Sequence, residues 1–479
     1  MKRVLAVDQG TTATKGYTLN LDGRFSFCFS IDHPQLFPKP GWVEHDPERL
    51  LEDVKKAIKS ADDIDAVGID NQGETVIAWD GETGLSVYNA IVWQDRRTAD
   101  FTERLKSKGA EKVTLERAGI PLDPYFSASK MRWILKNIPK AADLLKHGKL
   151  RLGTSDSFFI YRLTGEYATD VTTASRTSLM NLKTCNWDPI LCELFEIPIE
   201  ILPEIRPTTA YFGSIKGMRK DIPVTANVVD QQAALMGHGC FEAGSIKATF
   251  GTGVFLLANV GEKLQVNRPD GILSTIAWQF VDAKPIYAVD AGVYNAGSAI
   301  NWIRNLNLFR DFADIDSFQL SAAISRGLVF VPALSGLACP FWDRSAAGMW
   351  LGMGLETTKE DLCQAALEGI ALRTAQAMDA FAPMLGTPRS LSVDGGLIHN
   401  SYFCQFLANI TQRKIVLPAS PDMTALGTGR LALMGSGLVK RPSELPQMES
   451  PKAIIVPKKD LSHLKKRFSE AVNRARNWR

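Results

Sequence analysis

Val4-Leu5-Ala6-Val7-Asp8-Gln9-Gly10-Thr11-Thr12 opens the chain, and Ser245-Ile246-Lys247-Ala248-Thr249-Phe250-Gly251-Thr252-Gly253 repeats its pattern about 240 residues later. Each stretch is an extended, largely apolar run that stops at a turn of glycine and threonine. A second extended run follows each turn, Lys15–Asn20 in the first case and Val254–Asn259 in the second. Strand, turn and returning strand form a hairpin whose tip can present backbone N–H groups and hydroxyls to a phosphate. One such hairpin reads equally well as an ordinary β-hairpin. Two, placed alike in the two halves of a chain, indicate internal duplication. The expectation is an α/β protein of two related domains, residues 1–240 and 241–479, whose turns close on a nucleotide from both sides.

Length agrees with this, because 479 residues exceed what one hydrophobic core ordinarily serves. A hydrophobic share of 45% beside 22% charged residues is the profile of a soluble globular protein. The formal net charge of +3 gives no reason to expect a nucleic-acid partner. No apolar run approaches the ~20 residues of a membrane helix. The N-terminus turns acidic at Asp8, too early for a secretory signal. Seven cysteines without a Cys-x-x-Cys pair, and six scattered histidines, fit reduced thiols in a cytoplasmic protein better than disulfides or a zinc site.

Apolar runs between the hairpins predict strands at Ala66–Asp70, Val76–Trp79, Ala90–Trp93 and Val224–Val229, with helices around Glu48–Ala61 and Lys130–Asn137. Beyond the second hairpin the pattern predicts helices at Ala291–Asn305 and Asp361–Leu385. A strand then ends on Asp394-Gly395-Gly396 and leads into a helix through Asn400, and a basic helix, Leu461–Arg479, closes the chain. In α/β proteins ligands gather where strands end. Asp8, Glu74, Trp93 and Asp230 all fall at such ends. Asp230 follows Val228-Val229 and precedes Gln231-Gln232-Ala233-Ala234, a strand-to-helix turn. An aspartate there is either a helix cap or a base placed to take the proton of a substrate hydroxyl. Asp8, beside a phosphate turn, suits a metal ion. There is no Gly-x-x-x-x-Gly-Lys-Ser/Thr loop, no protein-kinase motif set and no Gly-x-Ser-x-Gly elbow. Gly427-Thr428-Gly429-Arg430-Leu431-Ala432 imitates a dinucleotide fingerprint, but it follows no strand and sits in a helical pattern, so close helix packing accounts for it better.

Taken in order, Val7-Asp8-Gln9-Gly10-Thr11-Thr12, Pro40-Gly41-Trp42-Val43-Glu44-His45-Asp46-Pro47, Ala90-Ile91-Val92-Trp93-Gln94, Asp123-Pro124-Tyr125-Phe126-Ser127, Asp230-Gln231-Gln232-Ala233-Ala234-Leu235 and Phe250-Gly251-Thr252-Gly253 resemble the FGGY carbohydrate kinases nearly end to end. Tyr125–Asn137 and Gly348–Glu368 resemble that family's two signatures. The resemblance implies two ribonuclease-H-like lobes in the actin/hexokinase clamp arrangement. It implies ATP-dependent phosphorylation of a terminal hydroxyl of a small polyol, glycerol before others, with Mg²⁺ as the metal and a dimer or tetramer as the assembly. By the same resemblance Asp230 is the general base and Asp8 holds Mg²⁺ through water. Thr11, Thr12, Gly251 and Thr252 face the phosphates, and Gly395, Gly396 and Asn400 form the nucleotide edge. Glu74, Trp93, Tyr125, Asp230, Gln231 and Phe255 form the polyol pocket. An inactive sugar-sensing clamp would be expected to lack Asp230 or Asp8, and both are present.

Two departures stand out. Gly73 takes the place of an arginine that points a cation into the polyol pocket in the glycerol-phosphorylating members. Either another group replaces that cation, or the space admits a C4–C5 polyol or ketose. The glycine-rich loop that binds fructose 1,6-bisphosphate in some members is not recognisable in Ile215-Lys216-Gly217-Met218-Arg219-Lys220, so that inhibition is not expected.

Overall fold

Both hairpins form in the computed structural model of the chain, which describes residues 2–217, 220–265, 271–385, 390–420, 422–447 and 450–479. Part of the loop compared above, Met218 and Arg219, lies outside the described residues. In the first half, β1 (Arg3–Gln9), β2 (Ala13–Asn20) and β3 (Phe25–Asp32) run antiparallel, while β4 (Ala66–Asn71) and, after the short β5 (Ser214–Ile215), β6 (Ile222–Val229) add parallel strands on the other side of β1. The order across this sheet is β5-β6-β4-β1-β2-β3. In the second half the strands are β7 (Ile246–Phe250), β8 (Val254–Gly261), β9 (Leu273–Trp278), β10 (Ile286–Val293), β11 (Ser390–Gly395), β12 (Lys414–Leu417) and β13 (Ala453–Ile455), in the order β9-β10-β8-β7-β11-β12-β13. The run β10-β8-β7-β11-β12 reproduces β3-β2-β1-β4-β6 strand for strand, with the same antiparallel and parallel pairings. The duplication seen in two turns therefore extends to five strands of each sheet.

Helices α1 (Pro47–Lys59), α2 (Asp230–Gly237), α3 (Gly297–Asn305), α4 (Lys359–Leu385), α5 (Ser401–Thr411) and α6 (Met423–Gly435) position the site. Val4, Leu5, Ala6 and Val7 are wholly buried because β1 is covered on both faces, which is why it reads as an unbroken apolar run. Helix α1 covers one face. It starts where Asp46 accepts from the Glu48 and Arg49 amides and Pro47 supplies the fixed first φ. The other face is covered by α6, which comes from the second half of the sequence but packs on the first sheet and on α2. Gly427 and Gly237 leave no room for a Cβ between those two helices: each backs directly onto main chain of the other. The apparent dinucleotide fingerprint is thus a helix-crossing seat.

Three expected elements differ. The helix expected from Ala291 begins only at Gly297, and Ala291–Val293 belongs to β10. That segment is apolar at both helical and strand spacing, and pairing with β8 decides between them. The strand expected at Ala90–Trp93 pairs only at Ala90–Ile91, after which the chain turns and carries Trp93 to the first hairpin. The closing helix is shorter, Leu464–Ala475.

Candidate active site

Asp8 is the penultimate residue of β1, and Asp230 is the first residue of α2, immediately after β6. The strand between them, β4, sets Asp70 opposite Asp8 in register. Three carboxylates thus converge at the ends of three adjacent strands. The first hairpin turn is closed by the Gly10 amide on the Ala13 carbonyl (3.0 Å), leaving Thr12 exposed at the tip. The second turn is held from behind. The Ala296 and Ser298 amides donate to the Thr252 carbonyl and the Gly297 amide to that of Gly251, so the start of α3 and the turn are one unit. Gly251 and Thr252 remain exposed.

Thr252 lies on the wall of two cavities. One, of about 660 Å³, is lined by Gly251, Thr252, Phe312, Ile315, Gly396 and Asn400 among others. The second, of about 470 Å³, has Thr11, Thr12, Trp93, Tyr125, Arg176 and Phe255 in its lining. The turns of the two halves therefore face one space, and that space adjoins the larger cavity at a single residue.

The smaller cavity has aromatic walls. Trp93 donates from its indole nitrogen to Thr11 Oγ1 (3.0 Å) and meets the Tyr125 ring edge-on, with centroids 5.5 Å apart. Glu74, Asp230 and Gln231, expected in the pocket, are not part of its lining. Arg176 links the first of them to it. Its guanidinium donates to Glu74 (2.6 Å) and lies 3.2 Å from Asp290 of β10, so Glu74, Arg176 and Asp290 form a charged chain from one sheet to the other. Gln231 accepts from Lys247 (2.6 Å), a wholly buried lysine of β7 that also donates to Thr249 (3.1 Å). Sequence reasoning missed Arg176, Asp290, Lys247 and Asp70. Arg176 ends a threonine-rich run, and nothing local distinguishes it from a surface arginine.

The arginine-to-glycine departure has a packing cause. A Cβ on Gly73 would fall 2.7 Å from Val229 Cγ2, so the side-chain volume expected to be vacant there is filled by the residue that precedes Asp230. Of the two readings open at Gly73, this packing weighs against a vacancy, and Arg176 supplies a cation. Val229 is β-branched and stiff. Gly73→Ala should therefore cost about 1–3 kcal/mol through overpacking, and Val229→Ala in the same chain should recover most of it. Thermal unfolding of the two variants checks this.

Charge is crowded here. Burial, and then Asp422, push the Asp8 carboxyl up to about 6, with Lys15 pulling the other way. Burial, and then Asp8, raise Asp230 to about 6. Asp70 is pushed well above the carboxylate range by burial and by Asp8. It accepts from Thr428 (2.5 Å), and its other oxygen has no partner among the described residues. Burial raises Glu74 to about 7 against the opposing pull of Arg176. Elevated buried carboxyls mark negative charge that the protein alone does not compensate.

On the other side, Gly395 has φ 96° and no space for a Cβ against the Phe250 backbone, so only glycine serves there. Gly396 is open to the larger cavity. Asn400 lines it too, but both ends of its amide are engaged: it accepts from the Phe403 amide as cap of α5 and donates to the Ile315 carbonyl. It shapes the wall rather than offering a free amide.

The model of the FGGY family of carbohydrate kinases, N-terminal domain, matches residues 3–237, and that of the C-terminal domain matches residues 246–436. The chain belongs to the FGGY family of carbohydrate kinases. Among relatives of this FGGY kinase, a glycerol kinase of Bdellovibrio bacteriovorus is 40% identical over 460 residues, covering 93% of each chain. One of Thermococcus kodakarensis is 38% identical over 491 residues, covering 100% of this chain and 98% of its own. The crystal structure of Plasmodium falciparum glycerol kinase with ADP superposes with a TM-score of 0.90 at 32% identity, covering 99% of this chain and 98% of that one. A gluconate kinase from Lactobacillus acidophilus follows at 0.88 and 25%, covering 99% and 98%. This FGGY kinase has the two-domain fold of its family, and no helix among the described residues is long and apolar enough to cross a membrane.

Proposed function

We propose that the chain transfers the γ-phosphoryl group of ATP to a terminal hydroxyl of glycerol, giving glycerol 3-phosphate. The observation that carries this reading is Thr252, shared by a large cavity with a glycine-rich edge and a small aromatic one, as a phosphoryl group passing between a nucleotide and an alcohol requires. The nucleotide occupies the larger cavity, with its phosphates between Thr11, Thr12 and the Gly251-Thr252 turn. The polyol lies against Trp93 and Phe255, Tyr125 and Arg176 bind its hydroxyls, and Glu74 fixes Arg176 from behind the lining. Asp230 accepts the proton of the attacking hydroxyl. Gln231, fixed by Lys247 from the opposite sheet, supports the start of α2 that carries Asp230. Phosphoryl transfer asks a protein chiefly to align the reactants and neutralise charge.

Among the described residues no three carboxylates, histidines or cysteines group closely enough to enclose a metal ion, so a divalent cation would rest on Asp8 together with water and substrate phosphates, as Mg²⁺ ordinarily does. Asp8 would hold it, and bound there it would supply positive charge against the phosphates of the nucleotide.

Coupled measurement of ADP release over glycerol, tetritols, pentitols and ketoses tests the assignment. Glycerol is expected to give the highest kcat/KM. The 470 Å³ cavity leaves a C4–C5 polyol or ketose as the second reading, and a longer substrate that outperforms glycerol would establish it. No turnover with any of them would indicate a sensor. The acid limb of kcat/KM supplies an independent check. Asp230 works only when ionised, and its carboxyl lies at about 6 with part of the rise due to Asp8. A cation on Asp8 removes that part, so activity should fall about tenfold per pH unit below a midpoint at or under pH 6.

A further inference from the structure

A third cavity, of about 440 Å³, lies away from the two described above and is walled by both halves of the molecule. The first half contributes the β2–β3 turn with Arg24 and the end of α2 with His238. The second contributes Ser392 of β11, Ser420 of the β12–α6 loop, and Arg430 of α6. Its described lining holds two guanidiniums and no carboxylate. Arg24 is exposed at the rim, whereas Arg430 is 8% exposed.

Arg430 has an evident structural task. Its Nη1 donates to the carbonyls of Met236 and Gly237, both at 2.8 Å, which caps the C-terminus of α2 where positive charge is favoured. The guanidinium also lies 5.5 Å from the Phe241 ring centroid. That task uses one nitrogen. Among the described residues, Nε is buried without a partner, Nη2 has no hydrogen bond and no carboxylate pairs with the group. Burial lowers it only to about 10, so it is charged at neutral pH. A buried guanidinium without a counter-ion is costly, and two peptide dipoles compensate it only in part. His238, engaged with Ser392 (2.7 Å) and Asp394 (3.2 Å), is neutral or cationic and cannot be the missing anion.

We propose that this cavity is a second, non-catalytic anion site, which takes a small phosphate-bearing ligand with Arg430 as its buried anchor and Arg24 at its mouth. A guanidinium fork suits phosphate oxygens, and the volume suits a phosphomonoester of a short carbon chain. Because its walls come from both sheets, occupancy favours one relative placement of the two halves and is thereby coupled to the cleft.

The test uses the full chain with its cleft saturated by Mg²⁺, glycerol and a non-hydrolysable ATP analogue, so that the phosphate turns are occupied. Calorimetric titration with inorganic phosphate forms one arm, and titration with ribose 5-phosphate forms the other. A saturable site is expected in at least one arm, and the arm that binds more tightly separates free phosphate from a phosphomonoester. Arg430→Met should weaken it at least about tenfold, the loss of one charge-assisted contact. Arg24→Met should weaken it less, and it decides the matter if the first variant does not fold. Both should still bind the ATP analogue. No saturable binding below about 10 mM in either arm, or equal affinity in wild type and the folded variants, overturns the proposal.

Discussion

Replacing Asp230 with asparagine is expected to leave nucleotide binding intact and to cut turnover by about 10²–10⁴-fold, the ordinary yield of a positioned base. The geometry adds a second expectation that a capping role would not produce. Burial and Asp8 hold the Asp230 carboxyl at about 6, above the usual aspartate value of 3.8, so the folded chain prefers that group neutral. The stability such a raised group contributes is present below pH 4 and is lost as pH rises through 6. Asparagine is neutral at every pH and similar in shape. At pH 7.5 the variant should therefore be as stable as wild type or more stable, by up to about 1–3 kcal/mol. At pH 5, where wild-type Asp230 is largely protonated, the difference should shrink. Turnover and thermal unfolding measured on one preparation at both pH values distinguish the cases: a slow but stabilised variant identifies a functional carboxylate held at a cost. Unchanged turnover, or a destabilised variant at both pH values, would mean that Asp230 serves chiefly to start α2.

What could be read from the sequence follows the range of the interactions involved. The two hairpins are local, and their glycines and threonines are adjacent in the chain. From them the duplicated hairpins and the positions of Asp8, Thr12, Gly251 and Thr252 were legible, and the apolar run Val224–Val229 placed Asp230 at a strand end. Ala291–Val293 was not, because its apolar residues satisfy two periodicities and only the neighbouring strand β8 chooses between them. The packing of α6 on the first sheet was half legible: the small residues announced a close crossing but not the partner. The Gly73 departure looked like a vacancy because the side chain that fills it, Val229, lies more than 150 residues away in the chain. Arg176 was hidden for the same reason, since its carboxylate partners stand 102 residues before it and well over 100 after it.

That arginine should give the largest stability effect at the site. Arg176→Met keeps much of the side-chain volume but leaves Glu74, 3% exposed, without its 2.6 Å partner and Asp290 without its cation. Stranding a buried carboxylate such as Glu74 costs about 3–5 kcal/mol, and the polyol pocket should lose affinity, so KM for glycerol should rise at least about tenfold. The sign of the pH dependence follows from Glu74. Its folded value is already raised to about 7 by burial, with Arg176 opposing the rise. Removing Arg176 raises it further, so the folded variant holds the proton more tightly than the unfolded chain. The deficit relative to wild type should then be small near pH 5, where the carboxyl is neutral in either protein, and should grow as pH rises above 7. Arg176→Met/Glu74→Gln removes the stranded charge together with the cation. It should recover a substantial part of the lost stability at pH 8 without restoring the KM, because the chain from Glu74 to Asp290 is still broken. Denaturant titrations at pH 5 and pH 8, with glycerol kinetics on the same samples, give both readouts. A double variant no more stable than Arg176→Met would show that the guanidinium acts through packing on Tyr125 and Phe126 rather than through the charge it neutralises.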